Sequence, residues 1–210
     1  MPRHAVWYFD VISPFAYLHL TRFAELPADL SIEYRPVLFA GLLQHWGQKG
    51  PAEIASKRRW TYRACQFWAD SHTVPFRFPA AHPFNPLHHL RLIIACGSTP
   101  RVVRRVFDAL WTTGDDPADQ KAFAALARSV GIDDLARLGA PTIKDTLRRN
   151  TDEAAALGVF GVPTFAADGE TFWGNDSIEF FKAWLENPSL LEATEMRRID
   201  GLPVSAARKI

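Results

Sequence analysis

Cysteine is scarce in this chain: two of its 210 residues, Cys65 and Cys96, are cysteines. They lie far apart and form no Cys-x-x-Cys pair, so the sequence supports neither a disulfide framework nor a cysteine-based zinc site. A thiol–disulfide oxidoreductase needs one cysteine to attack and a second one to resolve the mixed disulfide. Such an enzyme would carry its attacking cysteine at the start of the first predicted helix, where this chain has Ser-Pro-Phe-Ala at residues 13–16, so dithiol redox chemistry is excluded.

The chain also lacks a marked net charge and a long hydrophobic run. Twenty-four basic residues against 23 acidic ones leave a formal charge of +1, which gives no global electrostatic case for nucleic-acid binding. No run approaches the ~20 apolar residues of a membrane span, and the first ten residues do not have the basic-then-apolar layout of a signal peptide. We therefore expect a cytoplasmic protein that binds neither nucleic acid nor a membrane.

Hydrophobic residues make up 48% of the chain, enough for a substantial core, and strand signals stand near its two ends. The apolar run at residues 5–9 predicts a buried strand, Ser13-Pro14 predicts a helix start, and the alternation at residues 30–35 predicts a half-buried strand. Strand character returns at residues 164–167, and Asp168-Gly169 predicts a hairpin into a further strand.

Helix signals fill the region between these strands. We predict helices over residues 51–71, 85–97, 99–114, 116–131 and 142–158, and a last one over residues 175–187. The order β-α-β, helical block, β-β-α predicts an α/β protein: a thioredoxin-like core with an all-helical domain inserted between the second and third strands. The domains would be residues 1–37 and 159–187 (thioredoxin-like), 38–158 (helical insertion) and 188–210 (C-terminal tail).

Ser13 stands at the start of the first helix, where the helix dipole favours a thiolate or another anion. One interpretation is that Ser13 only caps the helix. The other is that its hydroxyl also donates a hydrogen bond to a sulfur that a ligand brings in. The local sequence leaves both open.

Two further stretches admit a structural and a functional interpretation. In a thioredoxin-like core Pro163 is expected to be cis, which would leave the backbone of Val162 free to pair with an extended peptide; the alternative is an ordinary turn proline. The stretch Trp-Gly-Asn-Asp-Ser at residues 173–177 caps a helix. It could equally hold the ammonium and carboxylate of a ligand through Asp176 and the first-turn amides.

The first part of the helical block is basic, with nine Lys or Arg against one acidic residue, Asp70, over residues 57–107. Such a bias is typical of a solvated helix face, but residues facing Ser13 would attract a small anionic substrate. Three histidines in the block have no cysteine or carboxylate at ligand spacing, so we predict no metal site and interpret them as surface or capping residues: His82, His88 and His89.

Three motifs together carry a family resemblance. They are Asp-x-x-Ser-Pro-Phe-Ala-Tyr-Leu at residues 10–18, Gly-Val-Phe-Gly-Val-Pro-Thr-Phe at 158–165 and Phe-Trp-Gly-Asn-Asp at 172–176. With them the chain resembles the 2-hydroxychromene-2-carboxylate isomerases, a family akin to kappa-class glutathione transferases and DsbA-like oxidoreductases. The resemblance covers residues 5–186 in the same order of elements.

The resemblance implies a glutathione-dependent isomerase, commonly a homodimer, that acts on 2-hydroxychromene-2-carboxylate or a related aromatic enone carboxylate. A bound thiolate would add to the β-carbon of the enone, the former double bond would rotate, and elimination would give the other isomer. Glutathione would be the cofactor, and a small aromatic carboxylate the substrate.

The same resemblance implies roles for individual residues. Ser13 would position and activate the glutathione sulfur, and Val162 beside Pro163 would pair with the cysteinyl backbone. A second set would hold the γ-glutamyl end and form a wall of the pocket: Asn175, Asp176 and Trp173.

One loop departs from the family. Where the family shows Asn-x-Pro-Pro, this chain has Gly-Gln-Lys-Gly-Pro at residues 47–51, so Lys49 or Gln48 would substitute for the asparagine. The departure bears on the substrate more than on the fold. Two alternatives therefore stay open: a kappa-like glutathione transferase that uses the same sulfur, and a non-catalytic module that binds thiol peptides and needs no basic pocket.

Overall fold

The computed structural model describes residues 3–206, and within them four strands form one mixed sheet in the order β2-β1-β3-β4. The strands are β1 (Arg3–Phe9), β2 (Leu30–Pro36), β3 (Thr164–Ala167) and β4 (Glu170–Trp173). β1 pairs in parallel with β2 and antiparallel with β3, which forms an antiparallel hairpin with β4. The hairpin turns at Asp168 and Gly169, both with positive φ, as predicted.

Nine α-helices occur within residues 3–206. They are α1 (Pro14–Thr21), α2 (Phe39–Trp46), α3 (Ala55–Ser71), α4 (Leu87–Ala95), α5 (Pro100–Trp111), α6 (Gln120–Ser129), α7 (Pro141–Ala156), α8 (Ile178–Glu186) and α9 (Thr194–Asp200). Helices α2 to α7 lie between β2 and β3, which confirms the predicted fold class. The domain limits at residues 37–38, 158–159 and 187–188 stay predictions. None of the described helices is both long and apolar enough to cross a membrane.

β1 is buried on both faces, as its apolar run predicts. Ala5, Trp7 and Phe9 belong to the larger hydrophobic cluster, with the Trp7 and Phe9 rings stacked 4.4 Å apart. Tyr8 points the other way, into a smaller cluster that includes Leu42 of α2. This division follows from the alternation of side chains along a strand. The central strand therefore anchors helices on both sides of the sheet.

Several helix limits differ from the prediction. α1 ends at Thr21 and a separate 3₁₀ turn follows at Phe23–Glu25, whereas the apolar stripe from Phe15 to Leu26 with Pro27 as a stop predicts one continuous helix. α6 begins at Gln120 rather than near residue 116, because Asp119 caps it and accepts from Lys121 and Ala122 at 2.8 and 3.2 Å. The carboxylate of Asp116 instead closes a local turn onto the amide of Ala118 at 2.9 Å.

No local sequence signal predicts α2, because its capping groups come from elsewhere in the chain. Leu38, the residue before the helix, has no side chain that can cap it. Its amide donates to Thr151 Oγ1 of α7 at 2.9 Å, and the amide of Phe39 donates to Asp10 Oδ2 at 2.8 Å. These contacts fix the start of α2 against β1 and α7, so no local start signal is needed.

Replacing Thr151 with valine should keep the shape of the side chain but leave the Leu38 amide without its acceptor. We expect the free energy of unfolding to fall by about 1–3 kcal/mol, measured by urea denaturation. Thr142→Val, at an exposed position of the same helix, is the matched control and should change it by less than ~0.5 kcal/mol. Equal losses in the two variants would contradict the capping role of Thr151.

Candidate functional site

Ser13 caps α1, as the sequence predicts. Its Oγ accepts from the amide of Ala16 at 3.2 Å, and Pro14 occupies the first helical position. The side chain is nearly buried, with 7% of the residue exposed. Because Oγ accepts through one lone pair, its own proton stays available for donation. Capping α1 therefore does not prevent the Ser13 hydroxyl from donating a hydrogen bond to another group.

Val162 lies beside Ser13, although 149 positions separate them in the chain. The β1–β3 register pairs Tyr8 with Thr164, so the segment before β3 runs past the turn that follows β1. The Ser13 hydroxyl points at the Val162 carbonyl over 3.5 Å, which is too long for a strong hydrogen bond. Since this contact is weak, the Ser13 hydroxyl could donate its hydrogen bond to a better acceptor instead.

The Val162–Pro163 peptide bond is cis, as predicted. Among residues 3–206, the Val162 amide donates to no acceptor. The carbonyl of Pro163 accepts from the amide of Gly174 at 2.9 Å, which ties the stretch after β4 to this segment. Val162 therefore offers a free backbone donor close to Ser13.

Trp173, Asn175 and Asp176 follow at the same end of the sheet. Trp173 is 53% exposed, and its ring lies against that of Phe160, with the ring centroids 5.0 Å apart. It also covers Gly161, where a Cβ atom would collide with the indole. The short helical turn at residues 175–177 packs against α1, and within the described chain the buried Oδ1 of Asn175 has no hydrogen-bond partner. The Asp176 carboxylate is exposed.

Lys49 is a predicted site residue that no hydrogen bond or ion pair within residues 3–206 links to Ser13. It is exposed in the loop between α2 and α3 and makes no side-chain hydrogen bond or ion pair with other residues in the range 3–206. Its loop begins close to the site, because Trp46 at the end of α2 donates from Nε1 to the carbonyl of Val159 at 3.0 Å.

Asp10 lies beside Ser13 and has a role that the sequence pattern does not predict. Its carboxylate is fully buried and accepts from the amides of Ile12 at 3.0 Å and Phe39 at 2.8 Å. Its carbonyl accepts from the amide of Ser13 at 3.1 Å. Burial raises the pKa of the carboxyl to about 7, although the hydrogen bonds from the backbone act in the opposite direction. The only local signal was an aspartate directly after a buried strand.

The helical segment supplies an aromatic neighbour to the same turn. Trp111 donates from Nε1 to the carbonyl of Val11 at 2.9 Å, and His82 Nε2 lies 2.8 Å from the carbonyl of Ile12. The interpretation of the three histidines as surface or capping residues is wrong for His82 and also for His89, which is 4% exposed. Both pack among aromatic rings, an environment that depends on tertiary contacts.

Neither cysteine belongs to the turn at Ser13. Cys65 is buried in α3, where burial raises the pKa of its thiol to about 12, and Cys96 follows α4. A raised pKa keeps the thiol protonated and unreactive at neutral pH. Within residues 3–206, no group of three His, Cys, Asp or Glu side chains is arranged to hold a metal ion.

Comparisons with known proteins agree with these features. The DSBA-like thioredoxin domain matches residues 6–186. 2-Hydroxychromene-2-carboxylate isomerase of Sphingobium xenophagum is 30% identical over 88% of this chain and 99% of its own. Glutathione S-transferase kappa 2 of Caenorhabditis elegans is 27% identical over 90% and 95%. A solved 2-hydroxychromene-2-carboxylate isomerase superposes with a TM-score of 0.74 at 24% identity, covering 90% of this chain and 98% of that one.

The protonation of Asp10 provides a test of how its burial in the turn affects stability. A carboxyl with a pKa of 3.8 unfolded and about 7 folded binds its proton more tightly in the folded state. The free energy of unfolding should therefore fall as the pH rises through this window, and Asp10→Asn should lack this contribution. We expect the variant to gain stability relative to the wild type between pH 4 and pH 7, measured by urea denaturation. A relative loss would mean that the amide hydrogen bonds outweigh burial.

Proposed function

The chain belongs to the DSBA-like thioredoxin-domain family and to the 2-hydroxychromene-2-carboxylate isomerases within it, and from that premise we propose that it is a glutathione-dependent isomerase. Its substrate would be 2-hydroxychromene-2-carboxylate or a related aromatic enone carboxylate. The observation that carries the proposal is the Ser13 hydroxyl, which sits at the N-terminus of α1 within 3.5 Å of the backbone of Val162. We also propose that the protein is a homodimer.

Ser13 is proposed as the residue that activates the sulfur. When bound, glutathione supplies a thiolate that adds reversibly to the enone β-carbon and so permits rotation about the former double bond. The Ser13 hydroxyl can donate to that sulfur because its contact with the Val162 carbonyl is weak. The N-terminal end of α1 adds a favourable dipole. Both effects lower the pKa of a thiol at this place.

The residues around Ser13 fit the rest of a glutathione molecule. The free amide of Val162 can pair with the cysteinyl backbone, in the way a strand edge binds a peptide. Asn175 carries an amide oxygen that has no hydrogen-bond partner among residues 3–206, and Asp176 an exposed carboxylate. These groups suit the ammonium of the γ-glutamyl end. Trp173 is proposed to form the wall beside them.

Two basic residues are proposed to contact the anionic ligands. Arg58 on α3 is exposed and lies one turn before Tyr62, whose hydroxyl contacts His82 beside the Ser13 turn. Its guanidinium would attract the substrate carboxylate. Lys49 is proposed to contact glutathione from the loop at residues 47–50, in place of the asparagine usual in the family.

A kappa-like transferase is the second candidate, favoured by the kappa-class relative. The two activities differ in thiol balance: an isomerase leaves the concentration of free glutathione unchanged, whereas a transferase consumes one thiol per turnover. A binding module without catalysis would show heat of binding and no turnover. Incubation with glutathione and 2-hydroxychromene-2-carboxylate, followed by absorbance and by thiol titration, therefore distinguishes all three.

Ser13→Ala tests the activating role. We expect calorimetry to detect glutathione binding to the wild type at millimolar concentration. In the variant the pKa of the bound thiol, followed by thiolate absorbance against pH, should rise because a donor to the charged form is lost. One charge-assisted hydrogen bond is worth ~1.5–3 kcal/mol, so kcat/KM should fall on the order of tenfold to a hundredfold.

Thr99→Ala is the matched control, because Thr99 caps α5 in the way that Ser13 caps α1. Both variants should lose about 1 kcal/mol of stability. Only Ser13→Ala should move the titration of the bound thiol. An unchanged curve would reduce Ser13 to a cap, and no heat of binding to the wild type would remove glutathione as the cofactor.

The proposed site also predicts failure in a redox assay. Ser13 and Ala16 stand where a dithiol enzyme of this fold would carry its two cysteines, and Cys65 is buried. We expect no acceleration of insulin reduction by dithiothreitol, measured by turbidity. The Cys65→Ala/Cys96→Ala double variant serves as the control. Turnover above background that persists in this variant would overturn the assignment of the site.

A further inference from the structure

Two aromatic ring donors from the helical segment hold the turn that leads into Ser13. Trp111 Nε1 donates to the carbonyl of Val11 at 2.9 Å, and His82 Nε2 lies 2.8 Å from the carbonyl of Ile12. These are consecutive carbonyls directly before Ser13. The orientation of the turn therefore depends on residues far away in the sequence.

The contacts of His82 determine its tautomer. A carbonyl oxygen can only accept, so His82 Nε2 must carry a proton to bond Ile12. The other ring nitrogen, Nδ1, lies 2.6 Å from the hydroxyl of Tyr62. Burial lowers the pKa of His82, which favours the neutral ring, and in that form Nδ1 accepts from Tyr62. The single proton of the Tyr62 hydroxyl is shared between His82 Nδ1 and the backbone carbonyl of His82, which lies 2.8 Å from the same oxygen, and its donation to Nδ1 favours the tautomer that can hold Ile12.

The bond from His82 reaches Ser13 through a single peptide unit. The carbonyl of Ile12 and the amide of Ser13 belong to one rigid plane. Its amide end donates to the carbonyl of Asp10 at 3.1 Å, and its carbonyl end accepts from His82. With both ends held, this plane cannot rotate, and the amides of Ala16 and Tyr17 hold the next one through the Ser13 carbonyl at 3.1 and 3.3 Å. The two planes together set the direction of the Ser13 Cα–Cβ bond.

We propose that His82 is a positioning residue for the Ser13 hydroxyl and that Tyr62 acts with it by fixing its tautomer. The inference rests on the proposed function, because the hydroxyl has to meet a glutathione sulfur. A small displacement of a group that bonds the reacting atom lowers the rate markedly. His82 itself does not have to touch substrate or glutathione for this effect.

The experiment compares His82→Leu with His82→Gln in the full-length protein, with reduced glutathione as the probe. Leucine removes the donor to Ile12, whereas the glutamine amide can still donate from a similar distance. In His82→Leu the thiolate titration of bound glutathione should shift towards the Ser13→Ala value, and kcat/KM should fall about fivefold to tenfold. His82→Gln should restore most of the wild-type thiolate titration and most of kcat/KM. The exposed control His88→Gln should resemble the wild type in both measurements.

The double variant Ser13→Ala/His82→Leu separates positioning from a general structural loss. If His82 acts through the Ser13 hydroxyl, the second substitution should not shift the thiolate pKa further once that hydroxyl is absent. Tyr62→Phe should shift it in the same direction as His82→Leu but less, and it serves as the second test if His82→Leu does not fold.

The outcomes of the proposed function and of this inference are distinguishable. Absence of glutathione binding to the wild type would end the proposed function and this inference with it. Normal binding, a shifted titration in Ser13→Ala and unchanged curves in both His82→Leu and Tyr62→Phe would overturn the positioning role of His82 alone. A further shift in the double variant, equal to that of His82→Leu by itself, would also overturn it.

Discussion

The buried carboxylate of Asp10 is the interaction on which the surroundings of Ser13 depend. One oxygen accepts from Ile12 inside the turn after β1, and the other accepts from Phe39 at the start of α2. The same side chain thus shapes the turn and begins a helix of the inserted segment. Because the group is fully buried, water cannot replace it as the acceptor for either amide. The raised pKa of the carboxyl reflects the free energy that this burial costs.

The sheet brings together two stretches from opposite ends of the chain. β1 lies between β2 and β3, so the turn after β1 meets the segment before β3 at one end of the sheet. One stretch provides the hydroxyl of Ser13 and the other the backbone of Val162. Strand pairing brings the two stretches together, and the side chains of Asp10, Trp111 and His82 then hold the turn in place through hydrogen bonds.

Local patterns predicted those features that local residues determine. The cap at Ser13, the hairpin at Asp168 and the order of strands and helices follow from short motifs, and the structure confirms them. α2 was missed because Asp10 and Thr151 cap it from distant segments. His82 was misinterpreted for a similar reason: its partners are Tyr62 and Ile12, and neither is adjacent in sequence. Residues that act through tertiary hydrogen bonds leave no periodic signal.

The hydrogen bonds from Trp111 and His82 connect the inserted helical segment to the turn before α1. If either ring is absent, a backbone carbonyl in the turn before α1 loses its hydrogen-bond donor. The strands and the inserted helices are therefore not structurally independent. A chimera that replaced the helices of this chain would have to supply matching ring donors, or it would deform the turn before Ser13 that it was meant to leave intact. In this protein a substitution at Trp111 or His82 therefore acts on the turn before Ser13 as well as on the helical segment.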